Sequence, residues 1–168
     1  DGALQLLCGS AGDLLDHVTS QDVVTFTGSA STGMKLKAHP ALLRESVPFN
    51  MEADSLNCII LGEDVTPGMP EWDLFVKEVR KEMTVKAGQK CTAVRRIFVP
   101  QNKMEDAWKS IIKELSKTTI GNPLNEKVRM GALAGQEQRN EVKGQVQKLL
   151  ASSRILHGSL DKIGRAHV

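Results

Sequence analysis

Residues 22–51 constrain the fold more than any other stretch. Asp22–Thr27 (DVVTFT) is β-branched and aromatic, the composition of a strand. Gly28 and Ser29 break it. Thr32–Glu45 then has helical character, interrupted at Pro40, and Val47–Met51 is extended again. Strand, turn, helix, strand is the grammar of a parallel α/β sheet, and the expected class is α/β.

The rest of the chain continues in that grammar. Ala3–Cys8 (ALQLLC) reads as a short buried strand and Ala11–Val18 as a short helix. Asn57–Leu61 (NCIIL) is a strand candidate and Thr66–Pro70 a turn-rich linker. From Glu71 to about Lys86, Trp72, Phe75, Val76, Val79 and Met83 fall on one face, which predicts an amphipathic helix. Arg95–Val99 is a strand stopped by Pro100. Lys103–Lys117 is a second helix with Met104, Trp108, Ile111, Ile112 and Leu115 on its apolar stripe. Ile120–Met130 reads as loop. Glu137–Ser152 is a third helix carrying Val142, Val146, Leu149 and Leu150, and Arg154–Leu156 begins another strand. There is no internal repeat and no low-complexity segment.

Composition narrows the class. At 40% hydrophobic and 25% charged, the 168 residues match a soluble globular protein with a core of its own. No apolar run approaches the roughly 18 residues of a membrane span, and no signal peptide is expected. Cys8, Cys58 and Cys91 are odd in number, without CxxC pairing or zinc spacing, so a reduced cytoplasmic setting is expected. The histidines are scattered and no metal site is expected. The tail Lys162–Val168 (KIGRAHV) fits no element; it reads either as an adapter-derived artefact or as a genuine basic tail. Without Lys162 and Arg165 the 22 basic residues become 20, equal to the 20 acidic ones. No charge argument then remains for nucleic acid or an anionic membrane as partner.

Three places could carry chemistry. The turn Phe26–Gly33 (FTGSASTG) joins a strand to a helix, where free N–H groups and the positive end of the dipole suit phosphate. It is not GxGxxG. It resembles a P-loop in spacing, but Met34 stands where lysine is needed and Lys35 where Ser or Thr is needed, which disfavours a nucleoside triphosphate. Phosphate contact and a plain turn both remain open. Cys91 lies in a glycine-containing junction between helix and strand, with Lys86, Lys90, Arg95 and Arg96 nearby in sequence, a setting that suits a reactive thiol. A lone cysteine is also often a small buried hydrophobe, the reading that fits Cys8 and Cys58. Glu52 ends the apolar run VPFNM, a place for a general base, though surface glutamates are common. Asp54 is a competing carboxylate or a turn residue.

The order of these features resembles the aldehyde dehydrogenase family. Phe26-Thr27-Gly28-Ser29 with Gly33 matches its FTGS…G turn, Asn50-Met51-Glu52 its glutamate at the domain junction, and Gly88-Gln89-Lys90-Cys91-Thr92 its cysteine setting. His39-Pro40 lies in the intervening helix. The family's usual Leu-Gly-Gly-Lys after the glutamate is replaced by Ala53-Asp54-Ser55-Leu56. FNMEADSLNC resembles the branch that oxidises CoA-linked semialdehydes in aerobic aromatic-acid catabolism. That branch includes the dehydrogenase domain of bifunctional phenylacetate-degradation proteins, with the semialdehyde dehydrogenases of benzoyl-CoA epoxidation as neighbours.

The resemblance implies an aldehyde dehydrogenase-like fold. Residues 1–52 would be the end of a Rossmann-type NAD(P)-binding domain, residues 53–161 the start of the catalytic domain, and residues 162–168 the artefact. It implies Cys91 as nucleophile, Glu52 as general base for thioester hydrolysis, and Thr27, Gly28, Ser29 and Gly33 as cofactor contacts. NADP is expected over NAD, with a CoA-linked aldehyde as substrate and a homo-oligomer for the full-length protein. The chain would correspond to the middle of a family member, incomplete at both ends and, in isolation, inactive and poorly soluble. Two other readings stand beside it: a relative that passes the thioester to CoA, and a degenerate chain serving only as a binding module.

Overall fold

In the computed structural model, residues 2–163 are described. Contacts divide the chain into two compact units, Asp1–Asp54 and Ser55–Val168. Most of the tail 162–168, on which the artefact reading rests, lies outside the described residues.

The first unit is built on two parallel strands, β1 (Val24–Gly28) and β2 (Phe49–Ala53), in the register Val24↔Phe49 to Gly28↔Ala53. Two helices make the crossover: α1 (Ala30–Lys37) and α2 (Pro40–Arg44). Proline at the first position of α2 needs no N–H donor there, and His39 caps that end. Ala41, Leu42 and Val47 form the buried apolar set of this unit.

The second unit repeats the logic. β3 (Cys58–Ile60) and β4 (Arg96–Phe98) pair in parallel, and α3 (Pro70–Thr84) crosses between them. Pro70 opens α3, and Glu71 and Asp73 sit in its first turn, where the helix dipole favours negative charge. Trp72, Phe75, Val76 and Val79 of α3 bury against Leu61 and against Ala107 and Ile111 of α4 (Met104–Leu115), with Ile59, Val65, Val99 and Leu115 around them. Met83, expected on the same stripe of α3, is 41% exposed because it lies near the helix end beyond this cluster. A final helix, α5 (Gln136–Leu149), follows a loop tied by an Ile120–Met130 bridge.

Several expectations are corrected. Ala3–Cys8 is not a strand: Leu4, Leu6 and Leu7 are exposed, and the segment has no hydrogen-bonded neighbour strand among the described residues. An apolar run becomes a strand only when a partner takes its backbone groups. Arg154–Leu156 stays irregular for the same reason, and Ala11–Val18 contributes only a 3₁₀ turn, Leu14–His17. Cys8 and Cys58 are exposed, not buried. In β3 the alternation decides this, since Ile59 faces the core and Cys58 and Ile60 face away from it.

Candidate active site

In the first unit the candidate residues gather at the ends of β1 and β2. Ser29 caps α1: its Oγ accepts the Thr32 N–H at 3.3 Å, donates to Thr32 Oγ1 at 2.9 Å and lies 3.2 Å from Ser31 Oγ. Gly33 is buried. A Cβ there would fall 2.4 Å from Met51 Sδ and 3.1 Å from the Phe26 ring, so glycine is what lets α1 lie against both strands. Thr27 is level with Glu52 across the pair, and in a parallel pair residues in register present their side chains to one face. Both are exposed. Hydroxyls and first-turn N–H groups suit phosphate oxygens in kind.

Asp54 adds a feature that the pattern of the sequence does not reveal. It follows β2 with φ 56°, a left-handed backbone that aspartate tolerates better than most residues. Its N–H donates to Gly28 O at 3.2 Å, and its Oδ1 accepts the Ala30 N–H at 3.3 Å. The end of the Glu52 strand is thereby tied to the start of α1, with a carboxylate on the first N–H of that helix. Of the two readings of this residue, the turn role is the one its positive φ and its bond to Gly28 O bear out.

Cys91 lies in the second unit, exposed, in a turn between α3 and β4. Lys86, Ala87 and Gly88 precede it at φ 52°, 54° and 73°, so the chain leaves α3 through a left-handed turn. Two of these residues carry a Cβ, and such strain persists only where the surroundings hold it. Gln89 does part of this, donating from Nε2 to Lys86 O at 2.9 Å and accepting the Ala134 N–H at 2.9 Å. The Arg95 guanidinium donates to Gly88 O at 3.1 Å and Lys90 O at 3.4 Å. The Asn57 amide donates to the carbonyls of Cys91 and Ala93. Of the four cations near Cys91 in sequence, Lys90 is paired with Glu82 at 2.7 Å and Arg95 holds backbone carbonyls. The first role of Lys90 and Arg95 is therefore to shape the turn.

Other features lie apart from these residues. A groove of about 450 Å³ between α3 and α4 is lined by Trp72, Lys77, Arg80, Ser110 and Lys113 among others, and its lining includes neither Cys91 nor Asn57. Among the described residues no three His, Cys, Asp or Glu side chains gather as metal ligands, and no helix is long and apolar enough to cross a membrane.

The profile of the aldehyde dehydrogenase family matches residues 1–166. The chain is 46% identical over 157 residues to 3,4-dehydroadipyl-CoA semialdehyde dehydrogenase of Aromatoleum evansii, covering 94% of this chain and 30% of that protein. It is 24% identical over 150 residues to lactaldehyde dehydrogenase of Methanococcus maripaludis, covering 88% of this chain and 30% of the relative. The chain thus spans about 30% of the length of these relatives. Among solved structures, betaine aldehyde dehydrogenase of Staphylococcus aureus in complex with NAD+ superposes with a TM-score of 0.72 at 24% identity, over 82% of this chain and 26% of that one. At that identity the likeness bears on the fold.

Proposed function

The chain belongs to the aldehyde dehydrogenase family, and on that premise we propose that it carries the nucleophile, the general base and the pyrophosphate turn of an NAD(P)-dependent enzyme that oxidises a CoA-linked semialdehyde to the acid. The observation that carries this reading is Cys91: an exposed thiol on a strained turn held by three separate side chains. The substrate class is supported by the 46% identity to a relative named for a CoA-linked semialdehyde. In the reading of the branch motif, the pathway is aerobic aromatic-acid catabolism, phenylacetate degradation included, NADP is the favoured cofactor, and the setting is cytoplasmic.

The Cys91 thiolate attacks the aldehyde carbonyl carbon, the C–S bond forms as the carbonyl π pair moves to oxygen, and a thiohemiacetal oxyanion results. The Cys91 N–H helps to hold the oxyanion. A nicotinamide cofactor, when bound, would supply the two-electron acceptor for the aldehyde hydrogen. The acyl group then remains on the Cys91 sulfur as a thioester. Glu52 takes a proton from water, the water oxygen adds to the acyl carbon, and the carbon–sulfur bond breaks to release the acid and the Cys91 thiolate. Ser29 and the first turn of α1, where Asp54 already takes the Ala30 N–H, would hold the pyrophosphate, Gly28 and Gly33 would keep the turn close to the strands, and Thr27 would serve the nicotinamide half.

The test is NADP reduction by the natural protein that contains this chain, with 3,4-dehydroadipyl-CoA semialdehyde as the aldehyde. Cys91→Ser is expected to abolish turnover while Cys8→Ser and Cys58→Ser keep it. Glu52→Gln is expected to lower steady-state turnover by about 10²–10⁴-fold, the usual scale of a general base, with a first-turnover burst of NADPH retained. Full activity in Cys91→Ser would refute the assignment.

A further inference from the structure

We propose that Asn57 is the positioning residue for Cys91, setting where the nucleophile stands from the neighbouring strand. The inference rests on the reading of Cys91 as nucleophile and adds to it a residue outside the cysteine motif. Asn57 immediately precedes β3, while Cys91 lies 34 residues further along the chain. Its backbone oxygen accepts the N–H groups of Arg95 at 2.8 Å and Arg96 at 3.2 Å, where the chain enters β4. Its side-chain nitrogen donates to the carbonyl of Cys91 and, at 3.3 Å, to that of Ala93. One residue thus clamps the turn and the strand that follows it.

The chemistry requires an amide. Both side-chain partners are carbonyl oxygens, which only accept, so the –NH₂ side of the amide must face them, and its two hydrogens serve two acceptors. Aspartate has the same shape with no donor and would set its oxygens against those carbonyls. The other clamps act elsewhere: Gln89 on Lys86 and Ala134, Arg95 on Gly88 and Lys90. Asn57 is the one that reaches the carbonyl of Cys91 itself. The left-handed turn before Cys91 relaxes unless it is held from outside, and a nucleophile displaced by about 1 Å loses on the order of a hundredfold in rate.

The test compares the wild-type enzyme with Asn57→Asp and Asn57→Ala. Each is read by amide hydrogen exchange across residues 89–93 and by steady-state kinetics. Exchange in that segment is expected to speed up about tenfold in both variants, with α3 and α4 unchanged. The kcat for aldehyde oxidation should fall about tenfold or more while KM for NADP stays within about twofold, a split that general loosening of the fold would not produce. Asn57→Ala, which buries no charge, decides the matter if Asn57→Asp does not fold. Unchanged exchange, or kcat within about threefold of wild type, would overturn the proposal. A wild-type enzyme without aldehyde oxidation would end the dehydrogenase reading, and the exchange arm alone would then decide whether Asn57 holds the turn.

Discussion

Lys86, Ala87 and Gly88 stand in sequence at positive φ and turn the chain from α3 towards Cys91. Glycine adopts this backbone freely, whereas a side chain pays about 1–2 kcal/mol. Ala87→Gly is therefore expected to raise stability by up to about 1 kcal/mol, measured as a shift in urea midpoint. Nothing in KAGQKC announces two left-handed residues before the glycine, so this turn is illegible in the sequence. Lys103 is equally unannounced. It is 8% exposed, and its ammonium donates to Val65 O at 2.6 Å and to Glu63 O. Lys103→Met fills similar space but leaves those carbonyls without their donor, and is expected to cost about 1–3 kcal/mol in the same measurement.

At the scale of elements, the contest is at the start of α1. Asp54 places a carboxylate on the Ala30 N–H, and the proposed pyrophosphate claims the same helix end. Asp54→Asn keeps an acceptor for Ala30 and tolerates the left-handed backbone, but removes the charge. Relief of a repulsion of roughly 1–2 kcal/mol predicts about tenfold tighter NADP binding by calorimetric titration. Unchanged affinity would place the phosphates away from α1. Lys109 on α4 donates a hydrogen bond to Glu105, Lys117 just past its end donates one to Glu114, and these bonds hold both carboxyls below the ordinary carboxylate range. A lowered folded-state value stabilises above the unfolded carboxylate range and is lost as pH falls through the folded one. The melting temperature is therefore expected to fall on acidification below about pH 4.5, and less steeply in Glu105→Gln. The periodicity of α5 was legible, its burial was not. Of its stripe, Val142, Leu149 and Leu150 are 38%, 61% and 39% exposed, Val146 is half-buried, and α5 has no buried residue. Period identifies the apolar face of a helix without supplying what covers it.

Across the whole molecule, what could be read was local. β-Branched and aromatic composition marked β1, Pro100 marked the end of β4, the 3.6-residue period marked α3 and α4, and Gly28-Ser29 marked the turn between β1 and α1. Each signal lies within a dozen or so neighbouring residues. What could not be read depends on a distant partner: the missing pairing for Ala3–Cys8, the bond from Asp54 back to Ala30, and the reach of Asn57 to Cys91. Cys91 and Glu52 entered through the resemblance of their motifs, because spacing alone left each open. The main apolar cluster gathers in the second unit around Phe75 and Val79. Phe75→Ala should cost about 3–5 kcal/mol, a large part of the net stability of a domain, and be visible as a collapse of the urea midpoint.

The central claim is that the acyl group passes through the Cys91 sulfur and leaves with the help of Glu52. The direct measurement is peptide mass spectrometry on the Glu52→Gln enzyme, quenched in acid shortly after mixing with NADP and the CoA-linked semialdehyde. The account predicts the acyl mass on the peptide that holds Cys91, dependent on NADP, with Cys8 and Cys58 unmodified. Continued NADP reduction with Cys91 unmodified, or the acyl group on another cysteine, would contradict it.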